Sequence, residues 1–187
     1  MKIRKMLRNI DPNQLRPNAE YIAGLVDGEG DLTIRWDKRV RYVRFSCLIS
    51  IGMTDEPIIK WLADIFGVTI RKGKQYPKKK TMYYAQVLTK TNLRTLLKEL
   101  LPLLKVKKER ARIMLEFLNL RDDGSAVEFA KKQAELYLKM RKLNQEEGKA
   151  KKIDLEKERR EILQRIETLQ KEKQKTKSLV QRAQLQK

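Results

Sequence analysis

The stretch "IAGLVDGEG", residues 22 to 30, limits the possible folds more than any other part of the chain. An interior glycine costs a helix about 1 kcal/mol relative to alanine, yet Gly24, Gly28 and Gly30 fall within seven residues. Asp27 and Glu29 end the run at the negative pole of a helix dipole, where an anion is disfavoured. Glycines four apart beside Ala23 leave one helix face nearly flat, fit for a second backbone at close range. Packing two copies there would draw their acids together. A divalent cation such as Mg²⁺, held by one or two carboxylates, water and phosphate oxygens, would relieve that conflict.

A polyanionic partner fits the overall charge. Lys and Arg total 44 against 24 Asp and Glu, a formal net charge of +20, and such basic chains favour nucleic acid. There is no histidine and only one cysteine, Cys47. Imidazole catalysis, a His-ligated zinc site and an intramolecular disulfide are therefore excluded. Cys47 lies in an apolar run and reads as a small buried side chain of a reducing compartment. With no signal-peptide core and no apolar stretch of spanning length, the expected location is intracellular, in a prokaryotic cytoplasm or an organelle, with no membrane partner.

Periodicity divides the chain further. Asn18 reads as the N-cap of a helix running to about residue 28 and stopped by Gly28 or Gly30. "DLTIRWD" and "RYVRFSCLISI" alternate as half-buried strands of a hairpin, with Leu32, Ile34, Trp36, Val43, Phe45, Cys47, Ile49 and Ile51 inward. Residues 55 to 66 form an apolar helical stripe closed by Gly67. "VTIRKGKQY" and "TMYYAQVLT" make a second hairpin through "PKKK", followed by helices at about 91–101 and 107–121 around Pro102. Past "RDDGS", Phe129, Leu136, Met140 and Leu143 predict one helix and Leu155, Ile162, Ile166 and Leu169 another. That segment is expected to be a solvated charged tail or a docking arm. The predicted division is an N-terminal arm (1–17), a core (18–124) and a charged helical extension (125–187).

Position for position, "IAGLVDGEG" resembles the signature of the LAGLIDADG homing endonucleases, with Glu29 in place of the final catalytic Asp. The element order of residues 15 to 121 is similar to that family's αββαββα core, so the resemblance implies an α+β fold with a curved antiparallel sheet. It implies a metal-binding catalytic role for Glu29, with Gly28 and Asp27 beside the metal and Asp27 also orienting the helix ends. The cofactor implied is Mg²⁺ or another divalent cation such as Mn²⁺. Only one motif is present, and "LNLRDDG" reads as a helix ending at Gly124, so the resemblance implies a homodimer packed through Ala23, Gly24 and Asp27. "LLPLLKVKKERA" is similar to the segment that projects a lysine into the active site, which implies that role for Lys107. In "ISIGMTDEP" the family's usual glutamine or arginine is missing, so no water-positioning group is assigned, with Arg44 and Arg71 only loose substitutes.

The predicted partner is double-stranded DNA, met by the polar sheet face. Thr33, Arg35, Asp37, Arg44, Ser46, Ser50, Arg71, Lys74, Tyr84 and Gln86 point outward in the predicted strands, a set suited to base edges and phosphates. Lys38, Arg39 and Arg41 of "RWDKRVR", with the "PKKK" cluster, are expected to touch phosphates. The expected function is site-specific double-strand cleavage of a long pseudo-palindromic site. Two alternatives share the fold, an intron RNA maturase and a non-cleaving DNA-binding regulator.

Overall fold

The computed structural model describes residues 9–40, 42–74, 77, 79–122, 125–146 and 154–185. Arg41, Gly124, Gln75, Tyr76 and Lys78, all used in the predictions above, lie outside them. The chain divides into two units: residues 1–34 with 46–118, and residues 35–45 with 119–187.

The first unit opens with helix α1 (Pro12–Leu15), whose N-cap Asp11 accepts from the Asn13 N–H, and a 3-10 turn (Arg16–Asn18). Helix α2 (Ala19–Glu29) follows without a break. Asn18 holds the N-cap position that the sequence suggested, but its side chain does not cap α2: its amide donates backward to the Gln14 carbonyl at 3.0 Å. The preceding turn already supplies helical backbone, so no side-chain cap is needed. α2 ends where Gly30 turns to extended backbone (φ −79°, ψ 143°), and only glycine fits this bend because a Cβ there would lie 2.5 Å from the Val26 carbonyl oxygen.

Strands β1 (Gly30–Trp36) and β2 (Phe45–Met53) precede helix α3 (Glu56–Phe66). Asp55 caps α3 by accepting from the Ile58 N–H at 3.2 Å, and Gly67 closes it in the left-handed region at φ 63°. Strands β3 (Ile70–Lys72) and β4 (Tyr83–Val87) lead to helices α4 (Lys90–Leu100) and α5 (Lys108–Asn119). The sheet order is β1-β2-β4-β3, with β4 antiparallel to both neighbours. Strand β3 is far shorter than "VTIRKGKQY" implied, because pairing covers only Ile70–Lys72 opposite Ala85–Tyr83. Helix α5 stops at Asn119, short of the predicted end.

The predicted alternation is visible in burial. Leu32, Ile34, Cys47, Ile49, Ile51, Ala85 and Val87 are buried, as are Ile22, Ala23 and Val26 of α2 and the apolar stripes of α3, α4 and α5. The other sheet face is less open than expected, since Leu48 and Ser50 are also buried. Both sit on β2, an interior strand flanked by β1 and β4, and Gln86 of β4 donates to the Ser50 hydroxyl.

In the second unit, helices α6 (Ala126–Glu146) and α7 (Leu155–Leu185) pack together through Ala134, Leu136, Tyr137, Met140, Ile162 and Ile166, all buried. Residues 35–45 join them: Tyr137 makes ring contacts with Trp36 at 6.5 Å and Phe45 at 5.2 Å.

Candidate active site and nucleic-acid face

Helix α2 ends with its last carbonyls and its acids side by side, and two devices stabilise that end. The Asp27 carboxylate accepts three backbone N–H groups from the segment leading into α5: Lys105 at 2.7 Å, Val106 at 3.1 Å and Lys107 at 2.9 Å. This is an anion nest at a helix N-terminus. Burial pushes the Asp27 carboxyl up, but the three N–H groups and the Lys107 charge outweigh it and hold it below the usual carboxylate range.

Lys107 completes the exchange. Its side chain is buried at 3% exposure, and its ammonium donates to the carbonyls of Val26 at 2.7 Å, Asp27, and Gly28 at 3.5 Å. A cation is thus set at the negative pole of α2, where it is favoured. The segment around Pro102 earns its place here. Leu101 to Lys107 turn the chain so that α5 begins against the end of α2.

Glu29 is the exposed acid of the pair. No hydrogen bond or ion pair with a described residue engages it. Gly24 and Gly28 are exposed on α2, and a Cβ at either would meet nothing within 4 Å. Tyr21 extends this strip; it is 55% exposed and its ring meets Trp61 edge-on at 5.7 Å. Ala23, placed by the sequence on the same face, is instead 2% exposed and belongs to the core.

Among the described residues no group of three acids or cysteines is placed to hold a metal ion. At the end of α2 the Glu29 carboxylate is exposed with the Gly28 carbonyl next to it, whereas Asp27 is engaged by three N–H groups. An oxygen donor set of this kind suits Mg²⁺, with the remaining donors from water, phosphate or a second chain.

On the sheet's other face a hydrogen-bonded relay crosses three strands. Arg71 Nη1 donates to Gln86 Oε1 at 2.9 Å, and Gln86 Nε2 donates to Ser50 Oγ at 3.2 Å. The ladder places Ser50 opposite Gln86 and Gly52 opposite Tyr84, which also faces Arg71. The Tyr84 ring lies over Gly52, where a Cβ would stand 2.5 Å from it, and close to Gly73 at 3.1 Å. Lys74, Lys79 and Lys80 surround this ring in a shallow basic depression. Thr33 is half-buried, and Ser46 is exposed.

The remaining predicted contacts belong to the second unit. Arg35 and Arg44 are exposed. Asp37 is bound by Arg39, whose Nε lies 2.9 Å from its carboxylate, and the Lys38 ammonium reaches Glu158 at 3.1 Å and Glu161 at 3.5 Å. Sequence reasoning missed Glu158, Arg141 and Arg165, because nothing in a charged helix reveals which charges fold inward.

No family model matches the sequence, and no curated protein matches it. Solved structures do. The chain is similar to the homing endonuclease I-CvuI, solved with the I-CreI target in 2 mM Mg (TM-score 0.63, 21% identity, 83% of this chain and 98% of that one). It is similar to the archaeal intron-encoded homing endonuclease I-Vdi141I, solved with DNA (TM-score 0.63, 20% identity, 81% and 95%). The homing endonuclease I-TnaI gives a TM-score of 0.58 at 19% identity, over 83% and 99%. The chain therefore has the fold of the LAGLIDADG homing endonucleases. It spans nearly the whole length of these three neighbours. Among the described residues no helix is long and apolar enough to cross a membrane.

Proposed function

We propose that this protein is a site-specific DNA endonuclease that works as a homodimer with a divalent cation. The observation that carries this reading is the end of α2: one exposed, uncommitted carboxylate, Glu29, beside a bare glycine strip and a braced helix terminus. Two copies meeting along Gly24 and Gly28 would bring two Glu29 side chains together. Glu29 and the Gly28 carbonyl would hold Mg²⁺ or Mn²⁺, which when bound supplies an activated water and a counter-charge for the leaving 3′ oxygen of the phosphodiester.

The chain's own groups prepare the site. Lys107 neutralises the carbonyl end of α2, which lowers the repulsion between two like poles brought face to face. Asp27 ties that end to α5 and acts as a positioning residue rather than a direct metal ligand, because its oxygens already accept three N–H groups. Arg71, Lys74, Tyr84 and Gln86 form a polar, basic face for base edges and phosphates, with the buried Ser50 holding the Gln86 amide from below. The solved neighbours include DNA complexes, which supports a duplex partner.

The test is cleavage of a randomised duplex library with Mg²⁺ or EDTA, by the wild type and by Glu29→Gln, with sequencing of the ends. Magnesium-dependent ends sharing one near-palindromic site, absent with the variant, are the expected result. Binding without cleavage by the wild type would replace this reading with the maturase or regulator.

A further inference from the structure

The turn between β1 and β2 is held from behind by the C-terminal helices. Trp36, 8% exposed, is its hub: the Lys38 ammonium lies 4.5 Å from its ring and the Arg165 guanidinium 5.1 Å. From α7, Arg165 donates through one nitrogen to two turn carbonyls, Lys38 at 3.2 Å and Val40 at 3.0 Å. Glu158, seven residues earlier on α7, is 5% exposed and receives the Lys38 ammonium at 3.1 Å, with Arg141 of α6 at 3.6 Å.

A carboxylate this deeply placed is costly unless paired, and such a pair adds little net stability over an apolar replacement. Of its two cationic partners the nearer, Lys38, comes from the turn itself, so the arrangement specifies one conformation of that turn. Arg165 acts in the same sense, because its bonds go to backbone carbonyls and fix the path of the chain. Lys38 is drawn toward α7 but stays half-exposed, and among the other described residues of the turn Arg39 and Arg44 are exposed charges not held by α7. Fixing a loop before it binds removes ordering cost and narrows what it can contact.

We propose that Glu158 and Arg165 are positioning residues that preset the turn at residues 37–40, and so determine which DNA positions Arg39 and Arg44 read. This rests on the DNA-endonuclease reading above.

The experiment uses the full chain as wild type, Arg165→Met and Arg165→Lys. Amide hydrogen exchange is followed in the turn of the free protein, and base preference is measured by selection from randomised duplexes. In Arg165→Met, turn amides are expected to exchange about tenfold faster, as the loss of charge-assisted bonds implies. The selected site should lose preference at one symmetry-related set of positions and keep it elsewhere, with partial recovery in Arg165→Lys. An unchanged site, or a uniform loss at every position together with a lower melting temperature, would overturn the proposal. A wild type that selects no sequence removes the DNA reading and this proposal with it; that failure is distinct, because in the other two the wild type selects a site.

Discussion

Asp27 and Lys107 exchange helix ends: the carboxylate of Asp27 accepts the Lys107 backbone N–H at 2.9 Å, while the Lys107 ammonium donates to the carbonyls of Val26 and Asp27. Each charge caps the helix that the other residue belongs to or adjoins. Asp27→Ala should cost about 1–3 kcal/mol, since three N–H groups lose a charged acceptor, and Asp27→Asn should cost less. Urea unfolding measures both. Because the folded carboxyl titrates below its ordinary value of 3.8, its contribution is complete above that pH. It fades as pH falls through the lower folded value. The acid limb of the stability profile should therefore be shallower in Asp27→Asn.

Lys107→Met keeps the buried stem but leaves three carbonyls without their cation. Lower stability is expected, with a loss of DNA cleavage larger than the loss of DNA binding, because the cation sits at the helix end that carries Glu29. Equal losses in cleavage and binding assays would argue for a purely structural lysine.

A Cβ at Gly24 would meet no described atom within 4 Å, and under the proposed homodimer this open face is where the partner helix packs. Gly24→Ala should raise the stability of the isolated chain by about 0.5–1 kcal/mol through helix propensity. Gly24→Leu should fold normally yet weaken self-association by about tenfold or more, since a bulky group holds two helices apart. Sedimentation equilibrium of the two variants separates these effects, and unchanged association in Gly24→Leu would remove the glycine strip as the dimer seam.

Gly52→Ala should destabilise by about 1–3 kcal/mol, because the new methyl group meets the Tyr84 ring at 2.5 Å. The cost should largely vanish in a Tyr84→Ala background. A double-mutant cycle measures this coupling, expected at about 0.5–3 kcal/mol.

The core elements were legible because their signals are local. Alternation at Leu32, Ile34 and Trp36, the stripe of residues 55–66 closed by Gly67, and the break at Pro102 each depend on near neighbours. Ser50 was misplaced as an open face residue because burial by adjacent strands depends on sheet order, which periodicity does not carry. The grouping of Arg35–Phe45 with residues past 118 was invisible for the same reason. It is made by Trp36, Tyr137 and Glu158, partners about a hundred residues apart in sequence. At the candidate site, Glu29 and Lys107 were found through the motif resemblance. The three N–H groups on Asp27 belong to the backbone, which no residue identity announces.

The relay from Arg71 through Gln86 to Ser50 fixes the direction of the Gln86 amide, oxygen toward the arginine and nitrogen toward the serine. Under the proposed role, these three side chains form one word rather than three letters. Changing Gln86 alone would leave Arg71 and Ser50 to rearrange, so altering the recognised sequence at this spot calls for replacing the trio together, and variant libraries that randomise one position at a time would miss the productive combinations.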